Sequence, residues 1–245
     1  MLSSEQREEF DRRGSLRLPG AVPAAAVTTM RDRFWDFLAA EHGLLRDRPD
    51  TWSVERPRHL QALRRSGAFA PMEADQVVGA LDDLLGGPTG WRRPTFWGLP
   101  LVTFPGAGTW RVPTSGWHVD SYGPEYDLPG VTVFAFLAPV AGRGGGTVLI
   151  EGSHHLVNRH IAETGTWRPA EVRAAISAAH PWLREVWRGD RSPGDDAELA
   201  GARVAVGELT GEPGDVILMH PRTLHAAAPN AGPVPRLMLV EIVSR

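Results

Sequence analysis

The 245-residue chain contains neither cysteine nor lysine, and each absence excludes classes of chemistry. Without cysteine there is no disulfide framework, no thiolate-ligated zinc or iron–sulfur cluster and no thiol nucleophile. Without lysine there is no Schiff base to pyridoxal phosphate and no P-loop lysine. Any enzymatic chemistry must therefore come from histidine, carboxylate, hydroxyl and arginine side chains, or from a metal ion held by nitrogen and oxygen atoms.

Long apolar runs and a strong charge of either sign are also absent. The net charge is −3 and the arginines are scattered along the chain, so we expect neither nucleic acid nor a membrane surface as a partner. No run approaches the roughly 20 apolar residues of a membrane span, and the N-terminus has no signal-peptide core. We expect a cytoplasmic protein with one domain over residues 1–245 that acts on a small molecule. The sequence does not determine the oligomeric state.

The order of predicted elements indicates the fold class. Ser3 to Gln6 are typical of a helix cap, and apolar residues at spacings of three and four predict a helix over residues 23–42. After Trp97 the chain consists of short strands separated by glycine and proline. The predicted strands are GLPLVTF, VTVFAFLAPV, GGTVLIEG, ARVAVGEL, GDVILMH and RLMLVEIV. Helices followed by strands predict an α+β chain with a mainly β core, a jelly roll with flanking N-terminal helices.

Residues 155–202 separate two predicted strands and contain one predicted helix, PAEVRAAISAAHPWLREVW, followed by a polar, glycine-containing stretch. A long insertion in a compact β fold is more often functional than structural. We therefore predict a lid in this segment, of which residues 183–201 become ordered when substrate binds.

The most informative motif is His118-Val119-Asp120, together with the distant His225. Residues two apart in an extended chain project to the same face, so His118 and Asp120 can bind one ion together. Two histidines and one carboxylate are the ligand set of non-haem iron(II) oxygenases, which leaves positions open for oxygen and a co-substrate. A lone His-x-Asp also occurs by chance in many proteins.

Arg236 strengthens the metal hypothesis. A hairpin turn at residues 229–232 would set Arg236 roughly opposite His225, although Pro233 and Pro235 make that pairing approximate. A guanidinium group near the metal suits a carboxylate ligand. The alternative is that Arg236 only begins the last strand or pairs with Glu241.

The segments GWHVDSYG, GGTVLIEGSHH and GDVILMHPRTLHAAAPN, with the later Pro-Arg, resemble the phytanoyl-CoA dioxygenase family of iron(II)- and 2-oxoglutarate-dependent oxygenases. The opening LSSEQREEFDRRGSLRLPGAVP is similar to that family as well, so the resemblance covers nearly the whole chain. The resemblance implies a cupin-like double-stranded β-helix, which is a form of jelly roll. It implies an enzyme that uses Fe(II), 2-oxoglutarate and O2. It also implies that His118, Asp120 and His225 are the iron ligands and that Arg236 binds the distal carboxylate of 2-oxoglutarate.

Further residues follow from the resemblance with less support. Thr147 falls on a strand that lines the cofactor pocket in similar proteins, and Thr103 precedes the metal motif. For both, an ordinary strand threonine is the alternative. Glu151 stands where the family has proline in a Pro-Gly-Ser-His turn, and we expect it to contact that turn or the substrate. His154 and His155 belong to this turn and are left out of the metal site.

Tryptophans near the motif and in the predicted lid are candidates for a pocket that accepts an apolar or ring-bearing molecule. The candidates near the metal motif are Trp110 and Trp117, and those in the predicted lid are Trp182 and Trp187. Tryptophan is more often simply core. His220 is a candidate pocket residue, with a purely structural role as the alternative.

Asp120 bears on the reaction, because related halogenating enzymes have a small residue at the carboxylate position. Its presence favours hydroxylation, or another oxidation, of an unactivated C–H bond of a small molecule. The family resemblance and the lysine-free composition further imply a role in bacterial specialised metabolism. Two alternatives stay open. One is a cupin-like isomerase or hydrolase that uses zinc or manganese without 2-oxoglutarate. The other is a catalytically idle jelly roll that binds a small molecule.

Overall fold

The N-terminal part of the chain is helical in the structure, a computed structural model that describes residues 1–54, 57–106, 108–120 and 123–245. The helices are α1 (Ser4–Arg13), α2 (Ala24–His42), α3 (Leu60–Arg65) and α4 (Asp75–Leu85). The predicted cap of α1 is confirmed, since Ser3 and Gln6 each accept a hydrogen bond from the other's backbone N–H. None of the helices in these ranges is long and apolar enough to cross a membrane.

Two antiparallel sheets follow the helices. The five-stranded sheet has the order β1 (Ser15–Leu18), β7 (Val216–Met219), β3 (Gly130–Phe136), β9 (Arg236–Ser244), β2 (Leu99–Thr103). The four-stranded sheet has the order β5 (Asp196–Leu199), β6 (Ala202–Glu208), β4 (Thr147–Glu151), β8 (His225–Ala227). The last four strands alternate between the sheets, because β7 and β9 lie in one and β6 and β8 lie in the other. This confirms the predicted jelly roll.

Side-chain alternation divides the apolar residues into three layers. Val133 and Leu239 face the N-terminal helices and pack against Phe34 of α2, among other residues. Phe136, Leu149 and Met238 fill the interior between the two sheets, together with residues of the neighbouring strands. Val148, Ile150, Val204 and Val206 cover the outer face of the four-stranded sheet. Because neighbours along a strand point to opposite faces, these layers determine which side chains reach the interior.

The predicted lid region is mostly helical. It contains α5 (Ser153–Thr164), α6 (Pro169–Ala179) and α7 (Pro181–Arg188), followed by the edge strand β5. The single helix expected over PAEVRAAISAAHPWLREVW is wrong, because Pro181 has no N–H to continue a helix and the chain breaks at His180. Leu183 and Val186 are fully buried against the outer face of the four-stranded sheet. Movement of residues 183–201 stays a prediction, and the buried α7 belongs to the packed part of the fold.

The hairpin expected between His225 and Arg236 is also wrong. Strands β8 and β9 belong to different sheets, and Arg236 is paired with Thr103 of β2. Asn230 explains the crossing, since its side-chain amide donates to Thr103 O at 3.0 Å and to Val234 O at 2.8 Å. The chain is thereby directed across the interior from one sheet to the other.

Candidate metal centre

Three side chains converge at one end of the jelly roll. His118 and His225 form an antiparallel bridge, and each backbone N–H donates to the other's carbonyl at 3.0 Å. The Asp120 carboxylate lies 3.8 Å from His118 Nε2 and 3.5 Å from His225 Nε2. The ligand atoms of all three residues lie within 4.8 Å of one another. A first-row metal ion with bonds of about 2.0–2.2 Å fits between atoms at such separations.

Local chain geometry explains why His118 and Asp120 point the same way. Trp117 and Val119, the residues that alternate with them, are buried in the layer beneath α5 to α7. The two ligands therefore project from the opposite side of the extended segment, as the sequence predicted. The His118 side chain is 51% exposed whereas that of His225 is 6% exposed, so the centre is open on the His118 side. Ser121 and Tyr122, which follow in the GWHVDSYG motif, lie outside the described residues.

Both histidine rings are oriented by backbone carbonyls. His118 Nδ1 lies 2.7 Å from Gly116 O, and His225 Nδ1 lies 2.9 Å from Thr223 O. Carbonyl oxygens only accept, so each Nδ1 carries the proton and each Nε2 keeps a lone pair for a metal. Burial lowers the pKa of His225, although the neighbouring Asp120 opposes this. The carbonyl acceptors at both rings and the burial of His225 are consistent with neutral imidazole ligands.

Thr132 orients the carboxylate. Its hydroxyl in β3 donates to Asp120 Oδ2 at 3.1 Å, while Asp120 N donates to Pro221 O at 2.6 Å. Thr132 is fully buried and was not singled out from the sequence. The available clue was a lone hydroxyl in the apolar strand GVTVFAF, because a buried hydroxyl requires a partner.

Arg222 ties the loop before His225 to the segment after the metal motif. Its guanidinium donates to Asn158 Oδ1 at 2.7 Å and to Gly123 O at 2.9 Å. Burial lowers the pKa of this group. The sequence did not predict this contact, since all three residues are far apart along the chain.

Arg236 is 5% exposed and lies in the interior. Met238, two residues further along β9, packs between the sheets, so Arg236 projects from the same face. Within the described ranges, its buried Nε and Nη1 have no hydrogen-bond acceptor. Burial lowers the pKa of Arg236 to about 10, and the carboxylate of Glu208 partly opposes this. A charged group with two unpaired buried donors is unfavourable alone and fits an anionic ligand.

Two threonines share this face. Thr103 is paired with Arg236 across β2 and β9, and Thr147 is paired with Ala227 across β4 and β8. Thr147 is buried and Thr103 is half-buried. The strand register thus brings both hydroxyls to the interior from which Arg236 projects.

The predicted tryptophans have different surroundings. Trp117 is core, since it is 2% exposed and its Nε1 donates to Pro113 O at 2.7 Å. Trp187 packs edge-to-face against it at 6.2 Å, and Trp182 is buried in the same layer. Trp110 is half-buried and lines a cavity of about 930 Å³.

His220 lies in a separate cluster beneath α1. Its Nε2 donates to Asp127 O at 2.9 Å, and its Nδ1 accepts from Arg222 N at 3.1 Å, so neither ring nitrogen remains for a substrate. The ring stacks on Phe10 and His154. Burial lowers the pKa of His220 well below its usual value.

The family turn is structural here. His154 Nε2 donates to Asp11 O at 2.7 Å, and Glu151 accepts two hydrogen bonds from Arg13 at 3.0 and 2.5 Å. Glu151 therefore anchors the end of α1 rather than a ligand. Neither His154 nor His155 belongs to the ligand set formed by the three metal residues.

Two histidines and one carboxylate at the open end of a double-stranded β-helix define a mononuclear metalloprotein of the cupin-like jelly-roll class. Within this class the chain belongs to the phytanoyl-CoA dioxygenase family, whose sequence model matches residues 10–238. The resemblance inferred from the motifs is confirmed.

Solved structures of low sequence identity share the fold. EctD from S. alaskensis, with 2-oxoglutarate and 5-hydroxyectoine, has a TM-score of 0.57 at 20% identity, and the match covers 99% of this chain and 76% of that one. HygX from Streptomyces hygroscopicus, with nickel and 2-oxoglutarate, has a TM-score of 0.57 at 17% identity, with 99% and 87% covered. The epimerase SnoN, in complex with Fe3+, alpha ketoglutarate and nogalamycin RO, has the same score and identity, with 98% and 82% covered. No curated protein matches the chain.

Proposed function

We propose that residues 1–245 form a single catalytic domain, an iron(II)- and 2-oxoglutarate-dependent oxygenase that oxidises a C–H bond of a small molecule in bacterial specialised metabolism. The observation that carries this proposal is Arg236, a buried cation with two donors that find no acceptor among the described residues, in the same interior as three residues that could hold a metal ion. The metal set alone would also suit an isomerase or hydrolase. A buried receptor for a carboxylate is what a 2-oxoglutarate-dependent enzyme requires in addition.

His118, Asp120 and His225 would hold the metal. Their role is supported by the free Nε2 atoms of both rings and by the hydrogen bond from Thr132, which fixes the carboxylate. Partners of this kind set the orientation of the ligands and their affinity for the metal. The open side next to His118 gives the substrate access to the centre.

Arg236 would bind the distal carboxylate of 2-oxoglutarate, and Thr103 or Thr147 would add a hydroxyl donor. Charge-assisted hydrogen bonds are the strong ones, and a buried guanidinium provides them only when a carboxylate arrives. Binding of 2-oxoglutarate would give acceptors to the two guanidinium nitrogens of Arg236 that find none among the described residues. The site therefore favours a dicarboxylate over a neutral ligand.

When bound, iron and 2-oxoglutarate supply an oxidant by oxidative decarboxylation with O2, giving succinate and carbon dioxide. The residues of the chain position the target C–H bond and exclude water from the centre. We propose hydroxylation, because Asp120 occupies the position that a halide would need. The epimerase SnoN and the carbocyclase SnoK, which share the fold, indicate that it also serves reactions other than hydroxylation.

The decisive experiment is an anaerobic absorption titration of the protein with Fe(II) and then 2-oxoglutarate. A charge-transfer band that appears in the wild type and is lost in Arg236→Met, while iron binding is retained, would establish the cofactor chemistry. Iron binding without a band at saturating 2-oxoglutarate would instead identify a cupin-like metalloenzyme. Absence of metal binding would contradict an enzymatic role at this site.

A further inference from the structure

A cavity of about 930 Å³ is lined in part by residues that lie within three positions of two candidate metal ligands along the chain. Segment 108–115 forms one side, and Ala227 and Pro229 form the other. Ala227 lies two residues after His225 and points to the same face of β8, while Ser115 lies three residues before His118. The volume falls within the range of about 300–1,000 Å³ that is usual for small-molecule pockets.

The described residues that line the cavity carry positive charge and no negative charge. Among the described residues that line the cavity, Arg111 is the only charged one. Its side chain is exposed, and it forms no ion pair within the described ranges, unlike Arg13, Arg17 and Arg64, which each bind a carboxylate. No carboxylate of this lining could attract a cation. An unpaired guanidinium in a concave site is suited to an organic anion, whose oxygens it can bind in pairs.

Trp110 is the largest apolar side chain of the lining. Burial raises the pKa of the half-buried Glu208, and the nearby indole N–H of Trp110 partly opposes this rise, although its geometry is not that of a full hydrogen bond. The other oxygen of Glu208 is held by the backbone N–H of Arg143 at 2.8 Å. The half-buried ring is thus an apolar wall of the cavity, next to the exposed guanidinium of Arg111. Aromatic walls bind flat or apolar groups at a small entropic cost.

Three exposed hydroxyl side chains complete the lining, those of Thr109, Thr114 and Ser115. We propose that this cavity binds the substrate and selects an organic anion with an apolar or ring-bearing body, with Arg111 on the anionic group and Trp110 against the body. The part of this inference that concerns the substrate rests on the proposed oxygenase function. The preference for an anion rests on the cavity alone.

The test uses two probes that share a ring and differ in charge, 1-naphthalenesulfonate and 1-naphthalenemethanol. Dissociation constants are measured by calorimetry on the Ni(II)- and 2-oxoglutarate-loaded protein. We expect the wild type to prefer the sulfonate by at least about tenfold, which is a typical size for one charge-assisted contact. Arg111→Gln should remove this preference by weakening the sulfonate alone, and Trp110→Leu should weaken both probes. Arg188→Gln, at an exposed arginine of α7 outside the cavity, is the matched control and should change neither.

The distance between the bound probe and the metal site is tested in a separate experiment. With Co(II) bound in the metal site, the NMR relaxation rates of the protons of the bound sulfonate should be higher than without Co(II). His118→Ala, which removes a candidate metal ligand, should abolish this increase. An unchanged preference in Arg111→Gln would overturn the proposal, as would sulfonate binding without paramagnetic relaxation while Co(II) is bound. The failure of the oxygenase function itself is distinguishable, because it is tested by the iron and 2-oxoglutarate titration without any probe.

Discussion

Replacing Arg236 with methionine should make the protein more stable in the absence of 2-oxoglutarate and unable to bind this co-substrate. The fall of the Arg236 pKa to about 10 corresponds to roughly 3 kcal/mol that disfavours the buried cation. At pH 7.5, below that pKa, arginine is charged in both the folded and the unfolded chain, so the penalty is fully present. Methionine has a similar length and needs no acceptor. Part of the gain is offset, because Glu208 loses a neighbouring positive charge.

The assay is thermal unfolding of the Ni(II)-loaded proteins with and without 2-oxoglutarate. For a domain of this size, about 2–3 kcal/mol corresponds to a rise in Tm of roughly 5–10 °C. A concentration of 100 times Kd should stabilise the wild type by about 2.7 kcal/mol and leave Arg236→Met unchanged. The control is Arg64→Met, which removes the partner of the buried Glu241 at 2.8 Å and should lower the Tm. The reasoning is refuted if Arg236→Met is less stable than the wild type without 2-oxoglutarate, or still gains stability when it is added.

Three further predictions concern the surroundings of the site. Thr132→Val should weaken metal binding about tenfold, since Asp120 loses its oriented donor; a chelator competition that shows equal affinity would contradict this. Burial lowers the pKa of His154 to about 3, below that of the unfolded chain, so the stability that neutral His154 contributes is lost as the pH falls below about 6.5. We expect the free energy of unfolding, measured by urea denaturation, to fall between pH 7.5 and pH 5 by about 2 kcal/mol less in His154→Gln than in the wild type. An equal fall in both proteins would contradict the role of His154. Asn230→Ala should cost about 2–3 kcal/mol, because it removes three hydrogen bonds of the crossing between the sheets; an unchanged Tm would show that the crossing does not depend on it.

Those parts of the fold that depend on local pattern could be predicted from the sequence. The cap at Ser3, the helix over residues 23–42 and most of the strands follow from side-chain spacing alone. The short strands β5 and β8 were missed, because three or four residues carry too little periodicity to be recognised. The break at Pro181 had a local cause that the helical pattern on both sides concealed.

The clustering of the candidate metal ligands was also predictable in part. His118 and Asp120 face one way because any extended chain places residues two apart on one side. The assignment of Arg236 as a carboxylate receptor stays a prediction, and the hairpin expected to place it opposite His225 does not form, because β8 and β9 lie in different sheets. Trp117 and Trp110 could not be told apart from the sequence, because core packing and cavity lining place the same demand on residue type.

The sequence by itself determined the available chemistry, the candidate ligand set and most of the succession of helices and strands, since each depends on residue identity and near neighbours. Tertiary structure alone decided that Arg236 lies opposite Thr103, that Thr132 reaches Asp120 and that Arg111 is the one charged side chain among the described residues that line the cavity with Trp110. These contacts join residues of different strands and loops. They depend on which sheet each strand enters, and that choice is set by burying three apolar layers at once.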